Sequence, residues 1–150
     1  MAAPSAITLY QSFKAWIGDG TFDLDLNAFR AALVTSSYTP LATHSLWSDV
    51  SANEVASGTG YTTGGYALTG LSYTQTSGTA KWTAGNPTWT ASGGSITARY
   101  LVLYALGTLN THVNPLVGYM LLDSAPADVV TATGNTLTVQ WNAAGIFTLT

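Results

Sequence analysis

TLTVQWNAAGIFTLT, residues 136–150, decides the fold. Leu137, Val139 and Trp141 alternate with Thr136, Thr138, Gln140 and Asn142, so one face is apolar and the other carries hydroxyls and amides. A side-chain period of two is that of a half-buried strand. NAAG at 142–145 reads as a turn, after which Phe147 and Leu149 are expected to return to the same apolar layer. The stretch carries no charge. An uncharged strand at a sheet edge invites pairing with another chain. The last strand is therefore expected either to lie paired inside its own domain or to be covered by a neighbour.

The same period runs upstream. FRAALVTSS (29–37), YALTGLSYTQTSG (66–78) and TAKWTAG (79–85) read as strands separated by turn residues. SITARYLVLYAL (95–106) is apolar on both faces from Tyr100 to Ala105, which predicts a central strand covered on each side. NPLVGYMLLD (114–123) predicts another, with Pro115 near its start, where a missing N–H does least harm. The beginning is different. Ser5 suits an N-cap, and Ala6, Tyr10, Phe13 and Ile17 recur at helical spacing, so a helix is expected over 6–17 with Gly18 as its left-handed stop. The expected fold is mainly β: an antiparallel β-sandwich or jelly-roll-like barrel of about seven short strands over 29–150, with one short N-terminal helix.

Composition agrees. Only 7% of the 150 residues are charged, against roughly 25% in a typical domain. The missing polarity is supplied by 24 Thr and 13 Ser, and β-branched Thr fits a pleated surface. The four cations, Lys14, Arg30, Lys81 and Arg99, are scattered, and the net charge is −3. Neither a phosphate-neutralising patch for nucleic acid nor a basic face for an anionic membrane can be assembled from them. No run of about 20 apolar residues predicts a membrane span. The opening MAAPSAITLYQSFKAWIGDG lacks the basic and long apolar regions of a secretory leader. With no Cys there is neither a disulfide framework nor thiolate chemistry.

Catalytic and ligand motifs are weak throughout. In SGTGYTTGGY, Gly58 and Gly60 begin a dinucleotide fingerprint, but Thr63 stands at its third glycine and no βαβ unit surrounds it. Asp19, Asp23 and Asp25 invite a calcium ion, yet the twelfth position from Asp19 is Arg30 rather than Glu. His44 and His112 have no metal-type spacing, no G-x-S-x-G elbow occurs, and Glu54 is the only Glu. The expectation is no enzyme and no cofactor. Trp47, Trp82 and Trp89 are candidates for a sugar-stacking platform, with core packing as the alternative.

Spread over the chain is a set of strings: TFDLDLN (21–27), ALVTSSYTP (32–40), Ser48-Asp49, NEVASGTGYTTGG (53–65), ITAR (96–99) and QWNAAGIFTLT (140–150). Together they resemble a small family of tailed-bacteriophage virion proteins. That family's pattern runs IDLD, ALVTSSYTP, SD, NEVSGTGYTAGG, ITAR and QWDANGIFTLT. The chain departs from it at Ala56, an apparent insertion, and at Asn142, where the family often has Asp. The resemblance implies a single virion structural domain over 1–150. A cement or decoration protein on the outer capsid surface is then expected, partnered by the major capsid protein and by copies of itself, with a trimer as the expected number. A tail or baseplate adhesion component and a carbohydrate-binding module are the alternatives. Partner contacts are expected at Met1, Ala2, Ala3 and Pro4, and at Tyr38, Leu46, Trp47 and Tyr61.

Overall fold

The computed structural model describes residues 3–150. In chain order the strands are β1 (Thr8–Leu9), β2 (Phe29–Val34), β3 (Tyr66–Ala67), β4 (Ser72–Thr76), β5 (Thr79–Thr83), β6 (Thr88–Thr90) and β7 (Ile96–Ala98). They continue as β8 (Tyr100–Ala105), β9 (Thr108–Leu109), β10 (His112–Val113), β11 (Leu116–Leu121), β12 (Val129–Thr131), β13 (Thr136–Thr138) and β14 (Phe147–Leu149). All pairings are antiparallel, and one short helix, α1 (Gln11–Trp16), follows β1. The fold is mainly β and sandwich-like.

The main sheet has the order β1-β11-β8-β2-β3, so the doubly apolar β8 lies at its centre. Alternation along β8 and β2 explains why both faces are covered. Leu101, Leu103 and Ala105 join Phe29, Ala31 and Leu33 in one core. Val102 and Tyr104 join Ala32 and Val34 in a second. The first core is closed by three smaller sheets, β14-β5-β4, β6-β13 and β7-β12, which contribute Phe147, Trp82, Trp89, Leu137, Ile96 and Val129. The second is closed by the chain between β2 and β3, which brings Tyr38, Val50 and Trp47 over the sheet through two short 3-10 turns. Pro115 does precede its strand, and its carbonyl accepts the Ala105 N–H at 2.9 Å.

Several expectations need correction. The helix does not begin near Ser5. The Ser5 N–H donates to the Leu121 carbonyl at 3.0 Å, and its hydroxyl accepts the Leu121 N–H at 2.9 Å. Residues 5–9 thus run along β11 as an edge, and α1 starts only after Tyr10, without a side-chain cap. Gly20, at φ 81°, takes the left-handed conformation assigned to Gly18. The two halves of 136–150 do not pair with each other: β13 pairs with β6, and β14 with β5. Between them Asn142 Oδ1 accepts the Ala144 N–H at 2.9 Å, the NAAG turn that redirects the chain. Leu149 shares the face of Phe147 but is 44% exposed, because β14 is the edge of its sheet and no strand continues the layer beside it.

Candidate functional site

Several of the strings set out above carry hydrogen bonds that hold loops in place. NEVASGTGYTTGG closes into a loop around one carboxylate. Glu54 Oε1 accepts the Tyr61 hydroxyl at 2.6 Å and the Gly64 N–H at 2.6 Å. The same Tyr61 hydroxyl accepts the Leu33 N–H at 3.1 Å, tying the loop to β2. Tyr104 donates to the Gly64 carbonyl at 2.8 Å, and Arg30 to the Gly65 carbonyl at 3.1 Å. Two glycines are required here. A Cβ on Gly60 (φ 90°) would lie 2.0 Å from the Thr90 carbonyl oxygen, and one on Gly65 (φ 76°) 2.3 Å from that of Ala31. Burial and the bond to Glu54 push the Tyr61 hydroxyl well above the usual phenol range. Burial, then the nearby Glu54 charge, raises Tyr104 as well.

A second network lies under the 38–55 cover. The Tyr38 hydroxyl is 2.8 Å from that of Tyr10 and 2.8 Å from His44 Nδ1. Burial raises both tyrosines. Asp49 caps the following turn by accepting the Ser45 and Leu46 N–H groups at 2.8 and 3.0 Å, and those bonds hold its carboxyl below the usual carboxylate range. His112 is elsewhere, its ring stacked on Trp16 at 3.7 Å. The aspartates of DGTFDLDLN work locally. Asp23 Oδ1 accepts the Asp25 and Leu26 N–H groups at 3.1 and 3.0 Å, while Asp25 accepts the Tyr73 N–H on β4. Among the described residues no group of three or more His, Cys, Asp or Glu is placed to hold a metal ion. The cations are used similarly: Arg99 pairs with Asp128 at 2.8 Å, and Lys81 reaches the Ala143 carbonyl at 3.5 Å.

The expected partner contacts divide. Met1 and Ala2 lie outside the described residues. Tyr38 and Tyr61 are each only 2% exposed, so neither side chain offers a surface to a partner; each was read as a loop residue and is instead spent inside the chain. Leu46 and Trp47 are half-buried, with Leu46 bridged to Pro115 and Trp47 stacked on Tyr104 at 4.5 Å. Trp82 and Trp89 are core residues and cannot serve as sugar platforms. Ala3 and Pro4, by contrast, border a groove of about 660 Å³ with Ile7, Leu9, Met120 and residues 140–142 and 144–148. Its lining contains no charged residue. The groove brings together the two segments singled out in the sequence, the uncharged beginning and the uncharged last strand. Sequence reading did not foresee the contribution of Ile7, Leu9 and Met120, because β1–β11 pairing is non-local. Compared with known protein-family models, curated proteins and solved structures, the chain gives no match.

Proposed function

We propose that this chain is a non-enzymatic structural protein of a tailed-bacteriophage virion, a cement or decoration protein that binds the major capsid protein and copies of itself on the outer capsid surface. The reading starts from the distributed resemblance. One structural observation carries it further: Glu54, Tyr61, Tyr38 and His44 are engaged in hydrogen bonds within the chain, while the side bearing both flagged segments is a neutral, mainly apolar groove. Such a side suits attachment by shape, apolar burial and backbone hydrogen bonds. Repetition of modest contacts over a shell would then supply avidity.

Electron microscopy of purified particles of the phage encoding this chain is the direct test. Density for the fold on the capsid exterior is the expected result. Density at the tail or baseplate would replace the proposal with the adhesion alternative, and absence from particles would end the virion reading.

A further inference from the structure

The four edges of the two larger sheets are not equally protected. β1 and β3 are two residues long. On β4, the outward Tyr73 N–H is taken by the Asp25 carboxylate, so an acidic group guards that edge. β14, three residues long, carries neither charge nor proline, and no strand lies beyond it among the described residues.

The geometry fixes which backbone groups β14 presents. β4 and β5 are joined by the two-residue turn Ser77-Gly78, both with positive φ (51° and 86°), so Thr76 and Thr79 close the hairpin as a hydrogen-bonded pair. Alternation along β5 then directs the backbone groups of Ala80 and Trp82 to the other side, toward β14. Their partners are Leu149 and Phe147. The N–H and C=O of Thr148, between them, therefore point outward.

We propose that β14 is a self-pairing edge: a second copy of this chain adds its own β14 antiparallel across a twofold axis, making one six-stranded sheet from two three-stranded ones. The occupant follows from self-complementarity. With Thr148 opposite its own copy, two N–H···O=C bonds form on the axis, and Phe147 faces Leu149 of the second copy. Thr meets Thr on the outer face and apolar meets apolar on the inner, and both kinds of cross-strand pair are favourable. Leu149, left half-exposed in one copy, is thereby covered. Lys81 stands opposite Thr148 on β5 and so shares its face. In the pair, the two Lys81 residues stand three strand spacings apart, roughly 14 Å, beyond the ~8 Å screening length at physiological salt. The neutral groove beside β14 would meet its twin at the same junction. The inference stands apart from the virion assignment and is tested separately.

The absence of cysteine supplies the assay. Thr148→Cys puts one thiol on the axis, where facing Cα atoms are about 5.5 Å apart, within the roughly 4.4–6.8 Å that a disulfide spans. Under mild oxidation this variant should become a covalent dimer, while Thr74→Cys, exposed on guarded β4, should remain monomeric. Sedimentation equilibrium of the wild type should show a reversible dimer. Leu149→Lys should raise its dissociation constant about tenfold or more. A wild type that stays monomeric at hundreds of micromolar, one that forms trimers, or a Thr148→Cys variant that crosslinks no faster than Thr74→Cys would each overturn the proposal. The first outcome would leave a strand from a different protein as the occupant. None of these results bears on where the chain sits on a particle.

Discussion

Replacing Tyr61 with Phe deletes one oxygen and tests the scaffold reading of the 53–65 loop. The ring stays in place, so no cavity opens. Two hydrogen bonds are lost: the one given to Glu54 at 2.6 Å and the one accepted from Leu33 N–H at 3.1 Å. A bond to a charged group contributes about 1.5–3 kcal/mol, and a buried N–H left without an acceptor costs about 1–3 kcal/mol. Glu54 keeps the Gly64 N–H, which limits the damage on its side. The expected loss is about 3 kcal/mol, or roughly 6–12 °C in Tm for a domain of this size. Urea unfolding followed by tryptophan fluorescence would measure it, with Trp89 only 6.2 Å from the Tyr61 ring. Tyr66→Phe, at a half-buried neighbour, should change stability by less than about 0.5 kcal/mol. Combining Tyr61→Phe with Glu54→Gln should reveal a coupling of about 1–2 kcal/mol. A loss below about 1 kcal/mol together with no coupling would refute the claim that this carboxylate and phenol clamp the loop.

Gly60→Ala and Gly65→Ala should each destabilise by about 3 kcal/mol or prevent folding, because a Cβ meets backbone oxygen in a left-handed conformation; circular-dichroism melts would show it. Alkali should unfold the protein steeply. Tyr10, Tyr38, Tyr61 and Tyr104 are all raised in the fold, so their contribution is complete below the unfolded value near pH 10 and is lost as pH climbs, by about 1.4 kcal/mol per pH unit for each fully held group. Asp49 has the opposite sign: its depressed carboxyl stabilises above about pH 4 and loses that effect as pH falls, so Asp49→Asn should flatten the acid limb of a stability–pH curve. Millimolar calcium and EDTA should give the same Tm, since Asp23 and Asp25 are occupied by backbone N–H groups; a rise of several degrees with calcium would show a metal site. Deleting residues 1–4 removes the bond from Ser124 N–H to the Ala3 carbonyl, so Tm should fall by only a few degrees; under the proposed capsid role, retention on washed particles should drop.

Alternation was legible wherever its partners are regular. The double apolarity of Tyr100–Ala105 predicted a central strand, and it is one; Leu137 and Val139 point inward as their period requires. What alternation cannot say is where a sheet stops. Leu149 has the phase of Phe147 but no neighbour to bury it, and that depends on sheet order rather than on residue type. Ser5 failed as a cap for a similar reason: its partner, Leu121, is 116 residues away. Glu54 and Tyr61 are seven residues apart, a spacing that matches no short motif, and only loop closure brings them together. Tyr38 follows a strand and has the context of a surface loop. It is buried because the main sheet is apolar on its second face too and the chain folds back to cover it.

The scarcity of charge has a kinetic consequence. Only 7% of the residues are charged, the net charge is −3, and Arg99 is paired with Asp128, so little long-range field remains to draw a partner in. Encounter should proceed at the unsteered rate, roughly 10⁵–10⁶ M⁻¹s⁻¹, and should barely respond to ionic strength. Tight attachment would then come from slow release, and washing in concentrated salt, which strips proteins held by ion pairs, should leave this one in place.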